Sequence, residues 1–203
     1  MANRIKIQVS GGALLFWAAL LLILPLQWVA AAFLAAIVHE CCHAVAVCIL
    51  GSSIDGITIG GRGVLMETQP MTGIREFICA LAGPLGSLLL LCFAPCLPRT
   101  AICGLVHGIY NLIPLFPMDG GRMLRSFLYS MLSPPLAKKI FLWVQKGIVF
   151  VIMVGCIILT FRMGILPLIF GCLILRNHLR ENPLAKKPFW RYNRSTIDKE
   201  VRL

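Results

Sequence analysis

Long apolar stretches separated by short polar ones run along most of this chain, and they have the lengths of membrane crossings. About 20 residues of helix cross a hydrocarbon core, so the run over residues 11–51 has room for two spans. Leu24-Pro25-Leu26-Gln27-Trp28 divides that run with a proline and an interfacial tryptophan. The pattern predicts spans over residues 12–26, 29–50 and 77–97, a fourth from 101, and two more at 141–161 and 164–178. Small residues in Ala82-Gly83-Pro84-Leu85-Gly86-Ser87 permit close helix approach within the third. The fourth dissolves at Asn111-Leu112-Ile113-Pro114-Leu115-Phe116-Pro117-Met118-Asp119-Gly120-Gly121-Arg122, where two prolines and a glycine pair break the helix. Unwound backbone at membrane depth is tolerated only where it faces protein or a wet cavity. Residues 122–139 then read as an interfacial or cytosolic helix.

Residues 52–73 have a different character. Ile57-Thr58-Ile59, Gly60-Gly61-Arg62-Gly63 and Val64-Leu65-Met66-Glu67-Thr68 predict two short strands around a glycine turn, with a plain connecting loop as the other reading. An exposed strand edge there would let an extended peptide add to it. The fold class expected is an all-α polytopic membrane protein of about six transmembrane helices, with a small cytosolic-side β-hairpin and a broken helix. With both termini inside, the external connections carry only Arg99 and Arg162, as the excess of internal positive charge requires. The chain divides into a transmembrane core over residues 1–178 and a basic cytosolic tail over residues 179–203.

Composition agrees with the pattern. The chain is 59% hydrophobic, with a mean hydropathy of +0.87, beyond the range of about 45–50% apolar usual in soluble domains. A net charge of +11 would suit nucleic acid, yet eight of the nineteen basic residues lie in residues 176–202, beside an apolar segment, where they suit anionic lipid. No basic face with interleaved aromatics is evident, so nucleic acid is not expected as a partner. The nine cysteines form no Cys-x-x-Cys pair and read as small buried hydrophobes, without a disulfide framework. Arg4 and Lys6 before an apolar run imitate a signal peptide. Cleavage near Ala30-Ala31-Ala32 would cut into the next apolar run, so an uncleaved first span is expected.

Val38-His39-Glu40-Cys41-Cys42-His43 carries the candidate chemistry, because Glu40 is the only formally charged residue between Lys6 and Asp55. An ionisable group at the bilayer centre costs roughly 2.5–3.5 kcal/mol even on the lenient insertion scale. His39 and His43 stand at i and i+4, so both imidazoles leave one helix face towards one point. Glu40 stands about 100° further round, beside such a point. That is the arrangement of two zinc ligands and a neighbouring general base for water. A chance match, a non-enzymatic metal site and a proton relay are the competing readings. Cys41 or Cys42 could line the same site.

A catalytic zinc typically takes three protein ligands. Between residues 77 and 180 the only acid is Asp119, inside the broken helix, which makes it the third-ligand candidate ahead of a simple turn-former. Asp55, Glu67 and Glu76 belong to the polar loop or its edge, where acids need no special explanation. His107 could share a helical face with Asn111 but reads better as a hydrogen-bonded core histidine; His178 reads as interfacial, and the methionines as core filler.

Together these residues resemble the site-2 proteases, zinc intramembrane metalloproteases. The resemblance rests on His-Glu-x-x-His in one transmembrane helix and an Asn-x-x-Pro-x-x-x-Asp-Gly-like element in a later one, here His39 to His43 and Asn111 to Gly120, in that order. It covers the chain from about residue 24 to residue 121. Ser87 departs from the asparagine that many members place after Gly-Pro. The resemblance implies one zinc per chain held by His39, His43 and Asp119, with Glu40 as general base. It also implies that Asn111 helps hold the substrate or the tetrahedral oxyanion. The compact six-span layout looks most like the stage IV sporulation FB branch, whose members release a sigma factor from a membrane-associated pro-form. The expected function is hydrolysis of a peptide bond in a membrane-embedded or membrane-tethered protein, by a multi-pass enzyme of the cell membrane with both termini cytoplasmic. A membrane inhibitor or regulator is compatible with that reading. The alternatives are a metal or proton transporter, and a catalytically silent binder of membrane clients using the same site.

Overall fold

A computed structural model describes residues 6–9, 11, 18, 20–60, 63–69, 71 and 73–181. Residues 12–17 and 19 of the predicted first span, residues 61 and 62 of the glycine turn, and residues 182–203 of the basic tail lie outside those described. The chain falls into two compact units, Met1–Pro114 with Met118–Phe141, and Leu115–Pro117 with Leu142–Leu203.

In the first unit, α1 spans Leu26–Ile49. It begins after Pro25, which suits a helix start because its missing N–H would have no intrahelical partner. It ends in a Schellman arrangement: Ser52 N–H donates to Val47 O and Gly51 N–H to Cys48 O, both at 3.0 Å. Gly51 takes the left-handed φ of 70° that this motif demands. The buried residues of α1 are Val29, Ala31, Ala35, His39, His43, Ala46 and Val47, a single seam at helical spacing. Away from the seam, Phe33, Ile37, Val45 and Ile49 are exposed. Apolar side chains all round a helix belong in lipid.

Strand β1 (Lys6–Val9) pairs parallel with β2 (Ile54–Gly60), and β2 pairs antiparallel with β3 (Gly63–Thr68). The order is β1-β2-β3, with Ile57 opposite both Ile7 and Met66. The third strand, β1, is a finding that the pattern of residues 52–73 could not anticipate. It places β2 in the centre, so of the two strands flanking the glycine turn only β3 has an unpaired edge within this sheet.

Helix α2 covers Ile74–Leu89 and runs on through a 3-10 turn at Leu90–Phe93. Helix α3 covers Pro98–Leu112, with Thr100, Ala101, Gly104 and Gly108 buried. Backbone carbonyls of α2 fill the space where side chains would be at those two glycines: a Cβ on Gly104 would meet Ser87 O at 2.7 Å. Helix α4, Asp119–Met131, starts directly after the irregular segment 113–118. A Cβ on Gly120 would collide with Leu112 and Ile113 carbonyl groups, so this glycine lets α4 begin hard against the end of α3.

The predicted helix over residues 122–139 is two helices. Leu132 is extended, and α5 restarts at Pro134 and runs to Met163. Pro134 and Pro135 explain this, because a proline excludes helix from the residue before it yet fits a first turn.

The second unit contains most of α5 and α6 (Leu166–Glu181). A Cβ on Gly171 would meet Cys156 Sγ at 3.0 Å, which marks the close approach of these helices. Phe116 of the unwound segment donates its N–H to Gln145 Oε1 at 2.8 Å, and its carbonyl accepts from His178 Nδ1–H at 3.2 Å. Gln145 and His178 are both buried. His178 is therefore an internal partner of broken backbone rather than the interfacial residue expected, because unwound peptide groups in apolar surroundings must find donors and acceptors.

Three helical stretches among the described residues are long and apolar enough to cross a membrane: Leu26–Ile49, Ile74–Phe93 and Pro134–Met163, with Leu166–Arg176 a shorter apolar one. Helix α3 has 15 residues, about 22 Å at 1.5 Å per residue against a core of about 30 Å.

Candidate metal centre

His39 and His43 lie on the buried seam of α1, in its C-terminal half, with the small residues Ala31 and Ala35 preceding them on the same face. That narrow stripe lets α2 approach closely. Gly83 of α2 faces both rings, and a Cβ there would strike His43 and meet His39 Nε2 at 2.7 Å. Gly86 does the same for Cys42, whose side chain occupies the space a Cβ would need. The Gly83-Pro84-Leu85-Gly86 run, legible in the sequence as a close-packing segment, thus leaves room for imidazoles.

Asp119 is 7% exposed at the first residue of α4 and points its Oδ2 at the same place. His39 Nε2 is 3.0 Å from Asp119 Oδ2, His43 Nε2 is 3.1 Å from it, and the two Nε2 atoms are 3.2 Å apart. His39, His43 and Asp119 form the group that could hold a metal ion among the described residues. The other carboxylate oxygen, Oδ1, accepts from Arg122 at 3.4 Å, one helical turn on. Arg122 leaves a single oxygen turned towards the histidines.

The outer ring nitrogens decide what the inner ones can do. His43 Nδ1–H donates to the Cys79 carbonyl at 2.7 Å, so its Nε2 presents a lone pair to the cluster. His39 Nδ1 bonds Ser87 Oγ at 2.8 Å, and Ser87 is fully buried. With His39 Nδ1–H likewise donating to Ser87 Oγ, three lone pairs converge at 3.0–3.2 Å and repel one another unless a cation lies among them. A proton relieves one pair at a time, whereas a metal ion relieves all three. Zinc bonds to nitrogen and oxygen of about 2.0–2.1 Å place tetrahedral ligands about 3.3 Å apart, close to the spacing seen. The donor set fits zinc.

Glu40 is half-buried on the residue after the first histidine, within Coulombic reach of His43, Asp119 and Arg122. Asn111 is half-buried on α3, where its Nδ2 donates to His107 O at 3.1 Å. His107 packs its ring edge-to-face on His39, with centroids 4.5 Å apart. Expected as a hydrogen-bonded core histidine, it forms a wall of the site against His39. Neither Cys41 nor Cys42 joins the ligand cluster; Cys41 is exposed and Cys42 packs at Gly86.

Four groups around the cluster carried little signal in the sequence. Arg122 stands three residues after Asp119, which was visible as spacing. The Cys79 carbonyl, the Ser87 hydroxyl and the His107 ring depend on how helices dock.

The family described as Peptidase M50B-like matches residues 12–118, which include His39, Glu40, His43 and Asn111 and stop one residue before Asp119. A zinc metalloprotease of Methanocaldococcus jannaschii is 34% identical over 131 residues, covering 56% of this chain and 35% of that protein. The chain spans about a third of the length of the curated relatives it matches. In fold, the site-2 protease from Methanocaldococcus jannaschii superposes with a TM-score of 0.64 over 89% of this chain and 92% of the other, at 22% identity. At that identity the likeness is one of fold alone.

Proposed function

This chain belongs to the Peptidase M50B-like family, and on that premise we propose that it is an intramembrane zinc metalloprotease. One observation carries the reading: His39 Nε2 and His43 Nε2, on an apolar helix long enough to cross a bilayer, converge with Asp119 Oδ2 so that the three atoms lie within 3.2 Å of one another. A zinc ion held by these three residues would supply Lewis acidity, lowering the pKa of bound water towards about 7 and polarising the scissile carbonyl.

The chain's own groups supply the rest. Glu40 takes the proton from the attacking water and returns it to the leaving amine. Cys79 O and Ser87 Oγ hold the two rings with Nε2 inward. Arg122 engages Asp119 Oδ1, so that Oδ2 is the oxygen turned towards the histidines. Asn111 is assigned, on family resemblance, to holding the substrate or the oxyanion. A substrate helix must unwind before attack, and the edge of β3 offers it an extended partner.

The substrate we propose is a membrane-embedded or membrane-tethered protein. In the finer reading, which rests on the family resemblance, it is a pro-sigma factor of the sporulation kind. The same reading places six spans over residues 1–178 in the cell membrane, with both termini and the basic tail over residues 179–203 in the cytoplasm. The excess of basic residues on the internal connections supports it.

The test is cleavage of a membrane-tethered reporter by the purified chain in proteoliposomes, with and without a chelator. Cleavage should need zinc and disappear in Glu40→Gln while that variant keeps its metal. Zinc loss in Glu40→Gln would make Glu40 a ligand. Metal flux without cleavage would make the chain a transporter.

A further inference from the structure

Glu76 and Arg125 form an ion pair that the catalytic reading does not use. The sequence placed Glu76 at the margin of the polar loop, among acids needing no explanation. In the fold it is 7% exposed, in the first turn of α2, with the Arg125 guanidinium of α4 donating to its carboxylate. The N-terminal turn of a helix favours a carboxylate, but that alone does not account for burying Glu76 against a half-buried guanidinium. Desolvation makes a buried pair a poor source of stability compared with apolar packing, and such groups in apolar segments commonly have functional roles.

A second grip lies beside the first. Ser126 Oγ–H donates to the carbonyl of Gly73, the residue that caps α2. Gly73 has a left-handed φ of 58°, and a Cβ there would touch Ser130 Oγ at 3.4 Å. Arg125 and Ser126 of α4 thus hold the start of α2.

Both helices lead from this grip into the metal centre. Asp119 lies six residues before Arg125, about 9 Å along α4. Cys79, whose carbonyl fixes His43 Nδ1, lies three residues after Glu76. We propose that Glu76 and Arg125 are positioning residues for the metal site. Their ion pair sets the register of α4 against α2, so that Asp119 Oδ2 meets the two Nε2 atoms while the Cys79 carbonyl holds the His43 ring. This rests on the zinc reading of His39, His43 and Asp119.

Zinc dissociation constants of the folded, detergent-purified chain, measured by competition with a metal-sensing dye, test it. Glu76→Gln and Arg125→Gln should each weaken zinc by about tenfold, the lower end of what outer-shell partners contribute. The double variant should lose no more than either single, because the two act as one unit. A purely structural pair would lower the melting temperature of the zinc-free protein and leave the zinc constant within twofold. That result overturns the inference, and if Asp119→Asn still weakens zinc the ligand assignment stands. If Asp119→Asn also leaves zinc unchanged, both fall. Should Glu76→Gln fail to fold, Arg125→Lys decides, since lysine keeps the charge without the planar fork; normal zinc affinity there overturns the proposal.

Discussion

Asp119 is engaged through both of its carboxylate oxygens. Its Oδ2 faces two imidazole nitrogens and its Oδ1 faces Arg122, so Asp119→Asn turns an anionic donor into a neutral amide and leaves Arg122 without its counter-charge. Zinc affinity and cleavage should each fall at least tenfold, in line with the loss of a direct ligand; unchanged zinc stoichiometry and rate would place the third ligand elsewhere. Ser87 is the subtler case. Its hydroxyl, fully buried, holds His39 Nδ1, and Ser87→Ala should weaken zinc by about ten- to a hundredfold, as other outer-shell changes do. Ser87→Thr keeps the hydroxyl but adds a methyl group in a region where Gly104 and Gly108 already press on this residue. It should bind zinc no better than the alanine variant; native affinity in the threonine variant would show slack that the packing does not suggest.

At the scale of elements, the sheet decides where a substrate can pair. Central β2 uses both of its edges, on β1 and β3, so a proline there would damage the sheet itself. Val64 and Leu65 are neighbours on β3, opposite Ile59 and Thr58. In an antiparallel pair, successive N–H groups point alternately towards the partner and away from it. One of Val64→Pro and Leu65→Pro should therefore remove an outward donor and cut cleavage of a tethered substrate several-fold with zinc content unchanged. The other should loosen the β2–β3 pairing. Full activity in both would reduce the sheet to a connector. At the irregular segment 113–118 the break is built to last, because Phe116 has both backbone polar groups satisfied, by Gln145 and His178.

For the whole molecule, the open question is how it lies in the bilayer. Large apolar side chains such as Trp143, Phe150, Val151 and Phe161 are exposed along α5, and Leu26, Phe33 and Ile49 along α1. Exposed apolar surface of this extent belongs against lipid tails. The proposed six crossings, with basic residues inside, would place both ends of residues 1–203 in the cytoplasm. Reporters fused at either end that are active only in the cytoplasm should both be active. An inactive reporter at one end alone would mean an odd number of crossings.

The sequence by itself determined which residues could bind metal and roughly where the apolar helices run. Both rest on local facts: i and i+4 share a helix face, and a charge in an apolar stretch is too costly to be incidental. The break before Asp119 was legible for the same reason, since prolines and glycines act on their own backbone. Tertiary structure alone decided what surrounds those residues. The bonds that join different helices at the site link positions 36 to 80 apart, and periodicity says which face a side chain takes without saying what meets it. Glu76 shows the limit most clearly: from its neighbours in the chain it is a loop-edge acid, and only the docking of α4 on α2 makes it a buried partner of Arg125. β1 shows it for backbone, because a strand joins a sheet through a partner that its own four residues do not specify.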